Sequence, residues 1–246
     1  NVAKMKKTTE LGSRIAEVHN GSSLFTGDAG QGESNARRYM IENDLVEAII
    51  ALPENMFYNT GIGTFIWILS NNKAEHRKGK IQLIDATSLK SPLRKNLGKK
   101  NCEFTSEIRR QILDLYMAFE ENEYSKIFDN NEFGYWKVTV LRPAYNEDGT
   151  IQRDKKGKPF VNKELTDTEQ IPFTYEGGIE AFFEKEVKPF APDAWIDEKQ
   201  TKIGYEISFT KYFYKPIQLR TLEEITADIR SLEEETDGLL AEIIGG

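Results

Sequence analysis

The segment from Pro53 to Thr64 gathers the side chains best suited to meet a ligand: adjacent aromatics Phe57 and Tyr58, the amide of Asn59, the hydroxyl of Thr60, and Gly61 and Gly63. An aromatic ring carried on a loop can stack on a planar group such as a nucleobase. The competing reading has Phe57 plugging the bottom of the core with Tyr58 covering it, and the residue pattern alone favours that reading. A second segment, Lys90 to Lys100, carries Lys90, Arg94, Lys95, Lys99 and Lys100 together with Pro92 and Gly98. Charge runs of this kind read first as solvated loops and second as phosphate contacts. A third, Gly27-Asp28-Ala29-Gly30-Gln31-Gly32, precedes a helix, but its spacing is wrong for a dinucleotide loop and it lacks the lysine of a P-loop. It reads as a mobile loop whose helix-terminal N–H groups could meet an anion.

Other chemistries find no support. There is no Gly-x-Gly-x-x-Gly between a strand and a helix, and no Ser-His-Asp ordering stands out. His19 and His76 are the only histidines and Cys102 the only cysteine, so neither a disulfide nor a Cys/His metal site is expected.

The elements that position these residues follow from periodicity. Arg14 to Val18 reads as a short strand, and Ser34 as the cap of a helix carrying Ala36, Tyr39, Met40 and Leu45. Val46 to Leu52 reads as a strand stopped by Pro53. Phe65 to Leu69 and Lys80 to Asp85 read as two more strands. Their continuous apolar runs imply burial on both faces, as in a helix-covered, doubly wound α/β sheet. Ser106 to Phe119 is amphipathic, with Ile108, Ile112, Leu115 and Phe119 on one face.

Further on, Tyr135 to Pro143 and Pro159 to Asn162 flank two turn signals, Asn146 to Gly149 and Lys155 to Lys158, which predicts a protruding β-hairpin. Gly178 to Val187 reads as a helix ended by Pro189. Lys202 to Tyr214 reads as an aromatic-rich extended arm. The final segment opens with a capping box, Thr221 and Glu224. Leu222, Ile225, Ile229, Leu232, Thr236, Leu239 and Ile243 then repeat at steps of three and four, the seam of a coiled-coil-like helix that seeks a partner. A helix docked on its own domain is the alternative.

The 246 residues suffice for one large domain or two small ones. With a net charge of −7 the chain has no general attraction for phosphate, so a free-standing nucleic-acid binder is disfavoured unless a partner supplies positive charge. The longest nearly apolar stretch, Gly61 to Leu69, is far shorter than the roughly 20 residues of a membrane span. A lone cysteine fits a reducing, cytoplasmic setting. The chain opens at Asn1 in a helix-like phase, as expected of a fragment of a larger protein.

Several runs resemble the modification (M) subunits of type I restriction–modification systems. They are Gly12 to Gly27 (GSRIAEVHNGSSLFTG), Glu33 to Arg38 (ESNARR), Leu52 to Gly61 (LPENMFYNTG), Ile84 to Ala86, Asp193 to Asp197 (DAWID) and Lys202 to Ile207 (KIGYEI). They occur in the family's order across nearly the whole chain.

The resemblance implies an adenine-N6 DNA methyltransferase that uses S-adenosylmethionine. Its partners would be DNA, a specificity subunit that reads the target and, in many members, a restriction subunit. The family's catalytic motif, Asn-Pro-Pro followed by Phe or Tyr, and its glycine-rich cofactor loop are absent, since none of the eight prolines are adjacent. The expected fold is therefore the C-terminal part of a Rossmann-like methyltransferase sheet over 1–125, an extension with a β-hairpin and aromatic arm over 126–220, and an assembly helix over 221–246. No catalytic residue is expected in the chain, which would be inactive alone.

By the same resemblance, Phe57 would stack on an adenine flipped from the duplex, with Tyr58 as its neighbour and Asn59, Thr60 and Gly61 shaping the pocket wall. His19, Asn20 and Gly21 would lie at the site's edge. Leu222, Ile225, Ile229, Leu232, Leu239 and Ile243 would pack on the specificity subunit. A non-catalytic assembly module stays open as the alternative.

Overall fold

The computed structural model describes residues 1–214 and 221–244; along the last helix, side chains are described through Leu232 and at Thr236. The chain divides into one unit over Asn1–Phe213 and a second over Tyr214–Gly246.

The first unit is built on a five-stranded sheet of β1 (Arg14–Asn20), β2 (Val46–Leu52), β3 (Thr64–Ser70), β4 (Lys80–Asp85) and β7 (Ser125–Asp129), in the order β1-β3-β2-β4-β7. Burial follows the sequence reading, since every residue of β2 is buried. Pairing does not, because β2–β4 is the only parallel pair in this sheet. The cause is the connection: a direct loop from β2 returns the chain antiparallel as β3, whereas a parallel run needs a crossover. Helix α2 (Gly32–Glu42) is such a crossover, so β1 and β2 run in the same direction on either side of β3. The short helix α1 (Ser22–Phe25) follows β1 directly.

Helices cover both faces. On one, Ile41 of α2 packs with Val46, Ile49, Trp67, Leu69, Ile81 and Leu83. On the other, α3 (Ser106–Ala118) lays Ile108, Ile112 and Leu115 against Ile50, Leu52 and Ile84. Thr105 caps α3 by accepting from the Ile108 amide at 3.3 Å, and Phe119 ends it in the left-handed region at φ 50. Ser34 is not the cap of α2. It is fully buried inside the helix, and its hydroxyl accepts the Tyr205 amide at 3.1 Å, binding α2 to the second sheet.

Lys90 to Lys100 is not a loop but the hairpin of β5 (Ser91–Leu97) and β6 (Lys100–Glu103). The second sheet centres on β8 (Gly134–Leu141), paired with β9 (Asp167–Pro172), β10 (Trp195–Ile196) and β11 (Lys202–Tyr205). Both turn signals close as expected: Tyr145 bridges Ile151 and Arg153 bridges Pro159, with Gly149 and Gly157 each at φ 80. Helix α4 (Gly178–Phe182) runs into a π-helical turn at Phe183–Val187.

The segment after β11 is not an extended arm. It forms α5 (Phe209–Phe213), and Tyr205, Ile207 and Phe209 are buried in the same core as β2 and β3. An aromatic-rich run gains more by burying its rings than by trailing in water.

The second unit contains α6 (Leu222–Ile244). Its capping box is formed: the Thr221 amide donates to Glu224 at 2.9 Å and the Glu224 amide to the Thr221 hydroxyl at 3.2 Å. Leu222, Ile225, Ile229 and Leu232 are exposed, while the side chains of Leu239 and Ile243 lie outside the described residues.

Candidate functional site

Thr64 organises one end of the main sheet. As the first residue of β3 it pairs with Asn20 at the end of β1 and with Leu52 at the end of β2. The loop leaving β2 and the turn leaving β1 therefore emerge side by side, at the end where β1 and β2 finish. Open α/β sheets place their ligands at such carboxyl ends. Thr64 itself is buried, and its hydroxyl has no hydrogen-bond partner among the described residues.

The loop from Pro53 to Gly63 sorts its side chains plainly. Met56, not Phe57, packs against the core beside Ile50 and Leu52. Phe57 is 37% exposed and Tyr58 60% exposed, so the core-plug reading of Phe57 fails. Asn59 is exposed, and Thr60 and Gly61 are half-buried. A bridge between Phe57 and Thr60 tightens the tip, and the Ile62 amide donates to the Thr60 hydroxyl at 3.3 Å. Asn55 sits in the left-handed region at φ 57, and a Cβ on Gly61 would lie 3.0 Å from the Asn55 Oδ1.

The hairpin β5–β6 holds this loop from outside the sheet. Its residues track the loop backbone in reverse order. Cys102 Sγ lies 3.4 Å from the Glu54 carbonyl, the Asn101 amide donates to the Asn55 carbonyl at 3.1 Å, and Lys100 Nζ donates to the Met56 carbonyl at 2.9 Å. The Lys99 amide then reaches the Tyr58 carbonyl at 3.0 Å. At the turn, Gly98 has φ 64, and a Cβ there would stand 2.9 Å from the same carbonyl. Loop and hairpin form one braced unit that presents Phe57 and Tyr58 outward.

Of the edge candidates, Asn20 is occupied locally: its Oδ1 accepts the Ser22 hydroxyl at 2.6 Å and its carbonyl the Ser23 hydroxyl at 2.9 Å, which starts α1. A Cβ on Gly21 would stand 3.3 Å from the Phe65 ring. His19 points to the α2 face, edge-on to Trp67 with ring centroids 6.5 Å apart and 3.7 Å from Glu17. There it lines a cavity of about 280 Å³ with Trp67, Arg37 and Met40, which Phe57 does not enter. The loop Gly27–Gly32 is not an anion cradle. Asp28 bonds Lys137 of β8 at 2.7 Å, which holds its carboxyl below the ordinary range, and the Gly30 amide donates to the Ile203 carbonyl at 3.0 Å.

Residue pattern gave the loop but missed its brace. The available signal was Leu97-Gly98-Lys99-Lys100, a two-residue turn with glycine first between apolar-bearing strands. Thr64 carried no signal, because only pairing on both sides makes it central.

Residues 2–139, which include the loop, its brace and the start of the second sheet, match the family described as N-6 DNA Methylase. The chain belongs to that family. It is 34% identical over 114 residues to the type I restriction enzyme MjaIX methylase subunit of Methanocaldococcus jannaschii, a match covering 46% of this chain and 19% of the relative. It is 29% identical over 164 residues to the HindI methylase subunit of Haemophilus influenzae, covering 62% of this chain and 35% of the relative. Among solved structures, a type I restriction–modification methyltransferase subunit from Streptococcus thermophilus is 26% identical over 49% of this chain and 24% of that one, with a TM-score of 0.42. The chain thus spans about a fifth to a third of the length of these curated relatives. The resemblance to type I modification subunits is borne out. Phe57, Tyr58 and Asn59, exposed, and Thr60 and Gly61, half-buried, all lie within the N-6 DNA methylase match.

Proposed function

We propose that this chain supplies the target-base side of an adenine-N6 DNA methyltransferase acting in a cytoplasmic type I restriction–modification complex. In this reading residues 1–125 are the C-terminal part of a Rossmann-like catalytic domain, 126–220 an extension, and 221–246 the assembly helix. The observation that carries it is the exposure of Phe57 and Tyr58 on a braced loop at the carboxyl end of the sheet, inside the family match. The exocyclic amino group of adenine is shielded in the stacked duplex, so the base must leave the stack before its nitrogen can be methylated. An aromatic face recovers part of the lost stacking, on the order of 1–3 kcal/mol per base.

S-adenosylmethionine is the methyl donor this reading requires. The chain lacks the Asn-Pro-Pro-aromatic motif and a glycine-rich cofactor loop, so its residues do not make up a donor site, and no step is assigned to them there. The chain alone is accordingly inactive, and its own work is to stack and orient the base. In the assembled enzyme, Phe57→Ala should lower DNA methylation about tenfold to a hundredfold, by the same stacking energy, while subunit assembly is retained. Unchanged methylation kinetics would remove Phe57 from the mechanism.

A second reading concerns the last helix. The exposure of Leu222, Ile225, Ile229 and Leu232 supports a seam that docks on a specificity subunit, with Leu239 and Ile243 continuing it. An unpaired carboxylate buried at the centre of such a seam carries a large desolvation cost. Ile229→Asp should abolish complex formation with a specificity subunit in a pull-down at micromolar concentration. Retained binding sinks this reading.

A further inference from the structure

The hairpin β5–β6 does more than brace the loop. Lys90, Arg94, Lys95 and Lys99 are all exposed, and among the described residues their side chains enter no ion pair and no hydrogen bond. From Ala86 to Cys102 the sequence holds no acidic residue; Asp85 and Glu103 stand only at the hairpin's base. The whole chain, this run included, carries a net charge of −7, so the cationic run is local and goes against the overall balance. Four ammonium and guanidinium groups left unpaired on a short hairpin repel one another, an arrangement that an external polyanion relieves.

Position supplies the second argument. The hairpin is bonded residue by residue to the backbone of the loop that presents Phe57, through the Asn101, Lys100 and Lys99 contacts. At about 3.3 Å per residue its first strand reaches roughly 20 Å, a span of several phosphates. A polyanion lying along it is held at a fixed place relative to the aromatic loop.

We infer that the β5–β6 hairpin is a phosphate-contacting arm that grips the backbone of duplex DNA through Lys90, Arg94, Lys95 and Lys99 beside the Phe57 loop. The inference rests on the methyltransferase reading for its choice of DNA. Phosphate contacts set register and carry no sequence information. The hairpin therefore holds the duplex while another element reads it.

The experiment is a salt titration of the 246-residue chain binding a fluorescent duplex, followed by anisotropy. Each phosphate contact contributes about −0.9 to the slope of log affinity against log salt. The triple variant Arg94→Gln, Lys95→Gln, Lys99→Gln should flatten that slope by about 0.9 for each of the three that contacts phosphate, and weaken binding severalfold in roughly 50 mM salt. Lys100 is left in place because it holds the loop. A control triple, Lys155→Gln, Lys156→Gln, Lys158→Gln, removes the same charge from the exposed tip of the β8–β9 excursion and should leave the slope unchanged. Circular dichroism checks that both variants fold.

An equal flattening by the control overturns the inference, as does an unchanged slope in the hairpin triple or the absence of duplex binding by the unsubstituted chain. Equal affinity for polyglutamate would assign the hairpin to an acidic protein surface instead, and also overturns it. The parent reading is tested separately by repeating the titration with a duplex holding one unpaired adenine. Phe57→Ala should abolish the preference for that duplex while the slope stays the same. A flat hairpin result with this preference intact sinks only the hairpin.

Discussion

The two ends of the main sheet are finished in opposite ways. Where β1 and β2 end, Phe57 and Tyr58 are exposed, and the buried Thr64 hydroxyl has no partner among the described residues. Near the other end, polar groups are buried and cross-linked. Glu47, 2% exposed, bonds Arg14 at 3.2 Å and lies 3.7 Å from Arg77. Arg77 also donates to Gln82 at 3.1 Å and to the Tyr116 carbonyl, and its guanidinium lies over the Tyr116 and Phe119 rings at 4.4 and 4.3 Å. Gln82 in turn donates to Ser125 and to the Leu115 carbonyl, each at 2.9 Å. Burial, reinforced by a hydrogen bond with Glu47, pushes the Tyr116 phenol up, and burial pushes the Arg77 guanidinium down. Asp44 joins Lys73, Asn130 and the Gly79 amide nearby, and the Asn130 Oδ1 is the one other buried side-chain atom without a hydrogen-bond partner among the described residues. One end is cross-linked by buried polar contacts, and the other carries an exposed aromatic loop.

Substitutions can break or sharpen this contrast. The largest effect belongs to Glu47→Ala, which strands the Arg77 charge in the interior; it should cost about 3–5 kcal/mol in chemical denaturation. A loss below about 1 kcal/mol would mean that the cross-linked end is not what holds the sheet. Phe57→Ala, by contrast, removes a ring outside the buried core and should change stability by less than about 1 kcal/mol, despite its expected effect on methylation. A large loss in the same denaturation curve would return Phe57 to the core. Thr64→Val is the smallest and has the opposite sign. It removes an unpaired buried hydroxyl at nearly constant shape and should stabilise by up to about 1 kcal/mol. Destabilisation would show that the hydroxyl has a partner, and the contrast between the ends would weaken.

How much of this was legible depends on the range of the interactions. The strands over Val46–Leu52 and Lys80–Asp85 were readable to the residue, because apolar runs and Pro53 act locally. The capping box at Thr221 and Glu224 was equally plain, being a contact between residues three apart. The loop at Phe57 was legible as a candidate, and the family resemblance chose between stacking and plugging. The hairpin was half legible: its charge was visible, but the bonds from Lys99, Lys100 and Asn101 to residues more than forty positions earlier were not. Ser34 misled because a serine near a helix start is a good cap, and a partner at Tyr205 outweighed that local preference.

The sequence by itself determined the family, four of the five strands of the main sheet, the amphipathic helix after Thr105, the periodic seam of the last helix and the acidic balance broken by one cationic run. These depend on residue identity and on spacings of a few residues. Only the tertiary structure decided that the sheet is mixed, that Met56 rather than Phe57 fills the core, that Thr64 joins two loops, and that the cationic run braces the aromatic one. Each of those is a pairing between distant segments, fixed by which arrangement buries the most apolar surface while leaving the fewest polar groups unpaired.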